Sequence, residues 1–135
     1  MRVAISNTTG HAPPRVPFSK MKDLVLGKQY KLSMVFATPP MIRKLNRQYR
    51  HRDSSTDILS FALNKGAGEL YVSMPDVRRQ APKFSLAPKQ YCAYLIVHGL
   101  LHLSGLDHGN KMAAAEKHYC KRLKIKHPDD MRVIG

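Results

Sequence analysis

The chain has 135 residues, 43% of them hydrophobic and 24% charged, which suits a single globular domain over 1–135 with its own core. Twenty-three Lys and Arg against nine Asp and Glu give a formal charge of +14, a field that draws polyanions, nucleic acid first among them. The start, MRVAISNTTG, lacks the apolar core of a signal peptide, and no apolar run nears the roughly 18 residues of a membrane span; a cytoplasmic protein is expected.

Residues Val3–Asn7 read as a short edge strand, followed by the Gly/Pro-rich link GHAPPRVP. Ser19 is placed to cap a helix running to Leu26, with Met21, Leu24 and Val25 on one face. Residues 31–37, KLSMVFA, alternate and read as a strand. TPP then opens a second helix, with Thr38 as its cap and prolines in its first turn. On it Ile42, Leu45 and Tyr49 are expected to face inward, and Arg43, Arg47 and Arg50 form a basic stripe. HRDSST is a polar turn. Residues 57–63, DILSFAL, and 69–73 read as two strands separated by GAG, and PDVRRQA as a short helix.

From Pro88 the pattern is helical again, and its middle, YCAYLIVHGLLHL, is apolar nearly all round, which places this helix in the core. Gly105 stands where a helix ends in a left-handed turn. A last helix over 112–124 has Ala115, Tyr119 and Leu123 on one side and Lys117, Lys121 and Lys124 on the other. Cys92 and Cys120 fall in apolar helical patterns without C-x-x-C spacing and read as small buried side chains kept reduced. The order of elements, with a hairpin-like pair in the middle, predicts an α+β domain built as a single layer pair.

The chemistry concentrates in HGLLHLSGLDH, residues 98–108. His98 and His102 lie four apart and point the same way on a helix; a turn at Gly105 lets His108 reach the same ion. A buried imidazole needs partners for its nitrogens, so two in register on an apolar helix are costly unless they ligate. Three imidazoles leave the fourth position of a tetrahedral zinc open, the pattern of a catalytic site; nickel or copper would also suit them. The same spacing occurs in zinc proteases, where a glutamate follows the first histidine and takes a proton from the attacking water. Here that position is Gly99. A metal lowers the pKa of its bound water toward 7 without a carboxylate, and an anionic phosphoryl transition state is stabilised by cations. Gly99 therefore turns the expectation from peptide toward phosphodiester cleavage.

HGLLHLSGLDH resembles the H-G-x-L-H-L-x-G-x-D-H signature of YbeY, a family of bacterial metal-dependent endoribonucleases. Residues 45–61, LNRQYRHRDSSTDILSF, are similar to that family's L-N-x-x-Y-R-x-x-D-x-x-T-D-V-L-S-F. GELYVS, residues 68–73, resembles its G-D-I-x-I-S strand, and Met112 with Glu116 repeats its Met-x-x-x-Glu. The resemblance implies an α+β fold with a small mixed four-stranded sheet packed by helices and the histidine-bearing helix at its centre. It also implies a zinc or similar divalent ion on His98, His102 and His108, and an essential active-site cation at Arg50. It implies action on single-stranded RNA in maturation of the 16S rRNA 3′ end and in ribosome quality control, with the small ribosomal subunit or its proteins as partners. Glu69 departs from the usual Asp, and the strong positive charge departs from the often acidic composition of the family.

Around the histidines, Asp57 and Asp107 are candidates for orienting imidazoles, with a turn-forming and a loop-stabilising role as the respective alternatives. Arg43, Arg47 and Arg52 are candidate RNA contacts; Arg43 and Arg47 read equally as a solvated helix face. His51 and His118 lack metal spacing and read as surface residues. Two other functions stay open: an RNA-binding assembly factor whose metal is structural, and, with less support, a metalloprotease.

Overall fold

The computed structural model describes residues 3–131. Its strands are β1 (Val3–Asn7), β2 (Lys31–Phe36), β3 (Ile58–Asn64) and β4 (Ala67–Val72), and its α-helices are α1 (Phe18–Leu26), α2 (Pro39–Arg50), α3 (Met74–Gln80), α4 (Pro88–Leu103) and α5 (Asn110–Leu123). The strands form one sheet in the order β1-β2-β4-β3. β1 and β4 run parallel to β2, while β3 pairs antiparallel with β4 as a hairpin, Ile58 opposite Val72 and Ser60 opposite Leu70. The mixed sheet and the α+β class are as the sequence predicts.

Alternation decides which face of the sheet is covered by what. Leu32, Met34 and Phe36 of β2 and Leu70 and Val72 of β4 are buried in one core with Ile96, Val97 and Leu100 of α4. Val35, Leu59 and Tyr71 turn the other way and meet Ile42 of α2. α4 is thus the buried helix that its apolar sequence predicts. Its approach is close at Gly99, where a Cβ would stand 2.9 Å from both Ile58 Cδ1 and Leu70 Cδ2.

Two local expectations are corrected. α1 starts at Phe18 after Pro17, so Ser19 lies inside it; its end is held by Lys22, whose buried ammonium donates to Gly27 O (3.2 Å) and Lys28 O (3.0 Å). On α2 Tyr49 is 55% exposed and Asn46 is buried in its stead, because the buried line runs from Ile42 to Asn46, one turn apart. On α5 Ala115, Tyr119 and Leu123 pack against the core as expected, beside the more deeply buried line of Met112, Glu116 and Cys120. Cys92 and Cys120 are buried thiols, as expected.

The polar turn HRDSST is pinned rather than free. Asn46 Nδ2 donates to Ser54 O (3.0 Å), and Ser55 Oγ donates to Asp76 Oδ2 (2.6 Å). Asp76, 1% exposed at the start of α3, also accepts from Ser73 and Arg79. Burial alone would raise its pKa, but these donors hold it below the ordinary carboxylate range. This anchoring fixes the chain between Arg50 and β3, the stretch that borders the site.

Candidate metal centre

His98 and His102 project from α4, and the helix ends at Leu103, one residue after His102. Gly105, at φ 105°, and Gly109, at φ 136°, adopt backbone angles that only glycine takes without strain, and the loop between them carries His108 back toward the helix. The ring centroids of the three histidines are 4.5, 4.9 and 5.5 Å apart, and their ligand atoms all lie within 4.8 Å of one another.

Hydrogen bonds set the tautomers. His102 Nδ1 is 2.9 Å from Leu106 O, which can only accept, so Nδ1 carries the hydrogen. His98 Nδ1 is 2.5 Å from Glu116 Oε2. Burial pushes the Glu116 pKa up, but bonds from His98, His127 and Tyr94 outweigh it and keep the group a carboxylate that accepts. Both Nε2 atoms are therefore left with lone pairs, and they face each other at 3.0 Å. Two acceptors this close repel unless a cation draws on both. Neighbouring nitrogens on a tetrahedral zinc stand about 3.3 Å apart, given Zn–N bonds of roughly 2.0–2.1 Å. The donor set fits a divalent transition metal. Burial, together with the nearby His98, holds the His102 pKa below its ordinary value, which favours the neutral ligand form. Among the described residues no fourth His, Cys, Asp or Glu joins the group.

Glu116 is the carboxylate behind the site. It also accepts from Tyr94 Oη (3.2 Å) and lies 3.3 Å from His127 Nε2. The backbone N–H of Asp129 donates to His127 Nδ1 (3.0 Å), so His127 carries its hydrogen on Nε2 and donates it to Glu116. Sequence reasoning did not assign His127 a role and gave Glu116 none beyond the family pattern. The available signal was a lone carboxylate in the Met112–Glu116–Cys120 spacing of α5, where burial demands donors.

The two aspartates behave differently from the imidazole-orienting role considered for them. Asp57 Oδ2 accepts from Tyr91 Oη of α4 at 3.0 Å, and not from an imidazole among the described residues. Among the described residues Asp107 makes no hydrogen bond to an imidazole; its charge favours protonation of His102 only weakly. Both still line the cavity, of about 1140 Å³, that the three histidines share with Arg50 and Arg52. Arg50 Nη2 donates to Ser60 O (2.7 Å), and its guanidinium lies 4.7 Å over the Phe61 ring, which fixes the cation on the edge strand β3. Arg43 and Arg47 lie away from this cavity and share Asp53, with Arg43 bidentate at 2.8 and 3.0 Å and Arg47 at 3.6 Å. Glu69, outside the cavity lining, accepts from Tyr71 Oη at 3.4 Å. Gly99 faces β3 and β4, so the position of the protease glutamate points into the sheet and away from the ligands.

This fold and site define a small α+β protein with a three-histidine group that could hold a metal, in an arginine-bearing cavity. The family model described as Endoribonuclease YbeY matches residues 17–124. Curated relatives named Endoribonuclease YbeY include one from Pelotomaculum thermopropionicum, 39% identical over 118 residues, covering 79% of this chain and 78% of that protein. Another, from Shouchella clausii, is 36% identical over 107 residues and covers 67% of each chain. A solution structure of a Thermotoga maritima protein shares the fold, with a TM-score of 0.63, 23% identity, and coverage of 90% of this chain and 88% of that one. The chain belongs to the YbeY endoribonuclease family.

Proposed function

We propose that this chain is a metal-dependent endoribonuclease that cleaves single-stranded RNA during rRNA maturation, at the 3′ end of 16S rRNA and in ribosome quality control. The observation that carries the reading is the pair of lone-pair-bearing Nε2 atoms at 3.0 Å, in one cavity with Arg50. His98, His102 and His108 would hold the ion, zinc by preference. A bound ion of this kind supplies Lewis acidity and an activated water at neutral pH.

The chain's own groups do the rest. Arg50 commits one of the five N–H donors of its guanidinium to Ser60 O, and others can take a phosphate bidentately. Arg52 adds positive charge along the path of the strand. Glu116 holds the His98 ring in its ligating tautomer, and Leu106 O does so for His102. A structural metal would be closed by a fourth protein ligand, which the histidine group lacks among the described residues. A peptidase reading has no base, because a side chain at position 99 would enter the sheet. No helix among the described residues is long and apolar enough to cross a membrane, which suits an enzyme that meets ribosomal RNA in the cytoplasm.

The test pairs a metal assay with cleavage of single-stranded RNA. Wild type should bind about one equivalent of metal and cut, His102→Ala should lose both, and Arg50→Ala should keep the metal while losing on the order of a hundredfold in cleavage. Cleavage by metal-free protein, or by His102→Ala at the wild-type rate, would overturn the proposal.

A further inference from the structure

The three histidines stand at one end of an aromatic wall. Phe84 closes a 3-10 turn over Ala81–Phe84 and lines the same cavity as the histidines. Its ring stacks on Tyr91, with centroids 5.3 Å apart and planes 19° from parallel. Tyr91 continues onto Tyr94 at 6.1 Å and 27°, and Tyr94 onto His98 at 6.3 Å. The two tyrosines have structural work for their hydroxyls, on Asp57 and Glu116. Tyr91 is also 6% exposed and has no free face to offer. Phe84 differs. It is 39% exposed, so one side covers Tyr91 while part of the ring faces the cavity.

We infer that Phe84 is a base-stacking subsite, taking an unpaired nucleobase of the RNA on its exposed side while Arg50 and Arg52 hold phosphates; this rests on the function proposed above. The occupant follows from the surroundings. A flat apolar ring in a cavity that also carries two arginines, on a chain of charge +14, suits a ligand with both π-faces and negative charge, which a single strand supplies repeatedly. A duplex cannot use the ring, because its bases are already stacked on one another and its grooves present edges rather than faces. Phe84 thereby helps the cavity select unpaired RNA.

The chain contains no tryptophan, so Phe84→Trp introduces a single fluorescent reporter at the subsite. In stopped-flow mixing of the zinc-loaded Phe84→Trp protein, its emission should be quenched by a single-stranded RNA before turnover and left unchanged by a duplex of equal length. Phe84→Leu, which keeps apolar bulk without a π-face, and Phe84→Ala should bind the single strand on the order of tenfold more weakly. Both should keep wild-type metal content, and Phe84→Leu should keep the wild-type melting temperature. Unmoved tryptophan emission while anisotropy reports bound RNA, or Phe84→Leu binding as tightly as wild type, would overturn the subsite and leave the nuclease reading standing. Failure of wild type itself to bind or cut RNA would overturn both.

Discussion

Glu116 brings a carboxylate into the buried stripe between Met112 and Cys120, and its cost is met by three donors, from His98, Tyr94 and His127. The arrangement has a direction. Asp129 N–H fixes the His127 tautomer, His127 donates to Glu116, and Glu116 receives the His98 Nδ1 hydrogen, which leaves the Nε2 lone pair available to a metal ion. Partners that orient a ligand in this way are each worth about 10–100-fold in metal affinity. Glu116→Gln should weaken metal binding by about that factor, since an amide presents one acceptor and one misplaced donor to its neighbours. His127→Ala should cost less, on the order of tenfold, because Glu116 keeps its other donors. Competition against a chromogenic chelator measures both. Metal affinity in His127→Ala equal to wild type would reduce His127 to a packing residue beside the Tyr94 ring, 5.1 Å away.

At the scale of elements, the seat of α4 on the hairpin decides where the ligands point. Gly99 puts helix backbone against Ile58 and Leu70, and Ser60 Oγ lies 3.4 Å from Gly99 O, which brings β3 and its Arg50 anchor beside the histidine face. Gly99→Glu would recreate the protease string in sequence. In the protein it should destabilise by at least about 3 kcal/mol, through overpacking and burial of an unpaired carboxylate, and yield no peptidase. Urea denaturation checks the first and cleavage of unfolded protein the second; a stable, peptide-cleaving variant would show that position 99 reaches the metal. Periodicity foresaw α4 because its apolar run leaves one choice of environment. It misjudged Tyr49 and did not foresee the buried Glu116 line of α5, because an amphipathic pattern fixes a face to within about a third of a turn and tertiary contacts choose within it. The imidazoles were legible from spacing along one helix and one glycine turn. The partner of Asp57 was not, since Tyr91 meets it across 34 positions of sequence.

For the whole molecule, the excess of positive charge is a property of the surface field, and part of it is held back. Asp53 engages both Arg43 and Arg47, and the Arg43 contact depresses its pKa, so that the three exposed groups carry a net single positive charge near neutral pH. Exposed pairs of this kind contribute little to stability. Removing the carboxylate should therefore leave the fold intact and return two arginines to the field. A single-stranded nucleic acid binds with a log affinity that falls against log salt with a slope of about −0.7 for each phosphate neutralised. Asp53→Asn should steepen that slope by about 0.7 to 1.4, one or two additional contacts, with tighter RNA binding at low salt and unchanged metal content. Anisotropy titrations across a salt series measure it. An unchanged slope would mean that the strand does not pass this helix face, and that the cavity arginines alone carry the electrostatic part of binding.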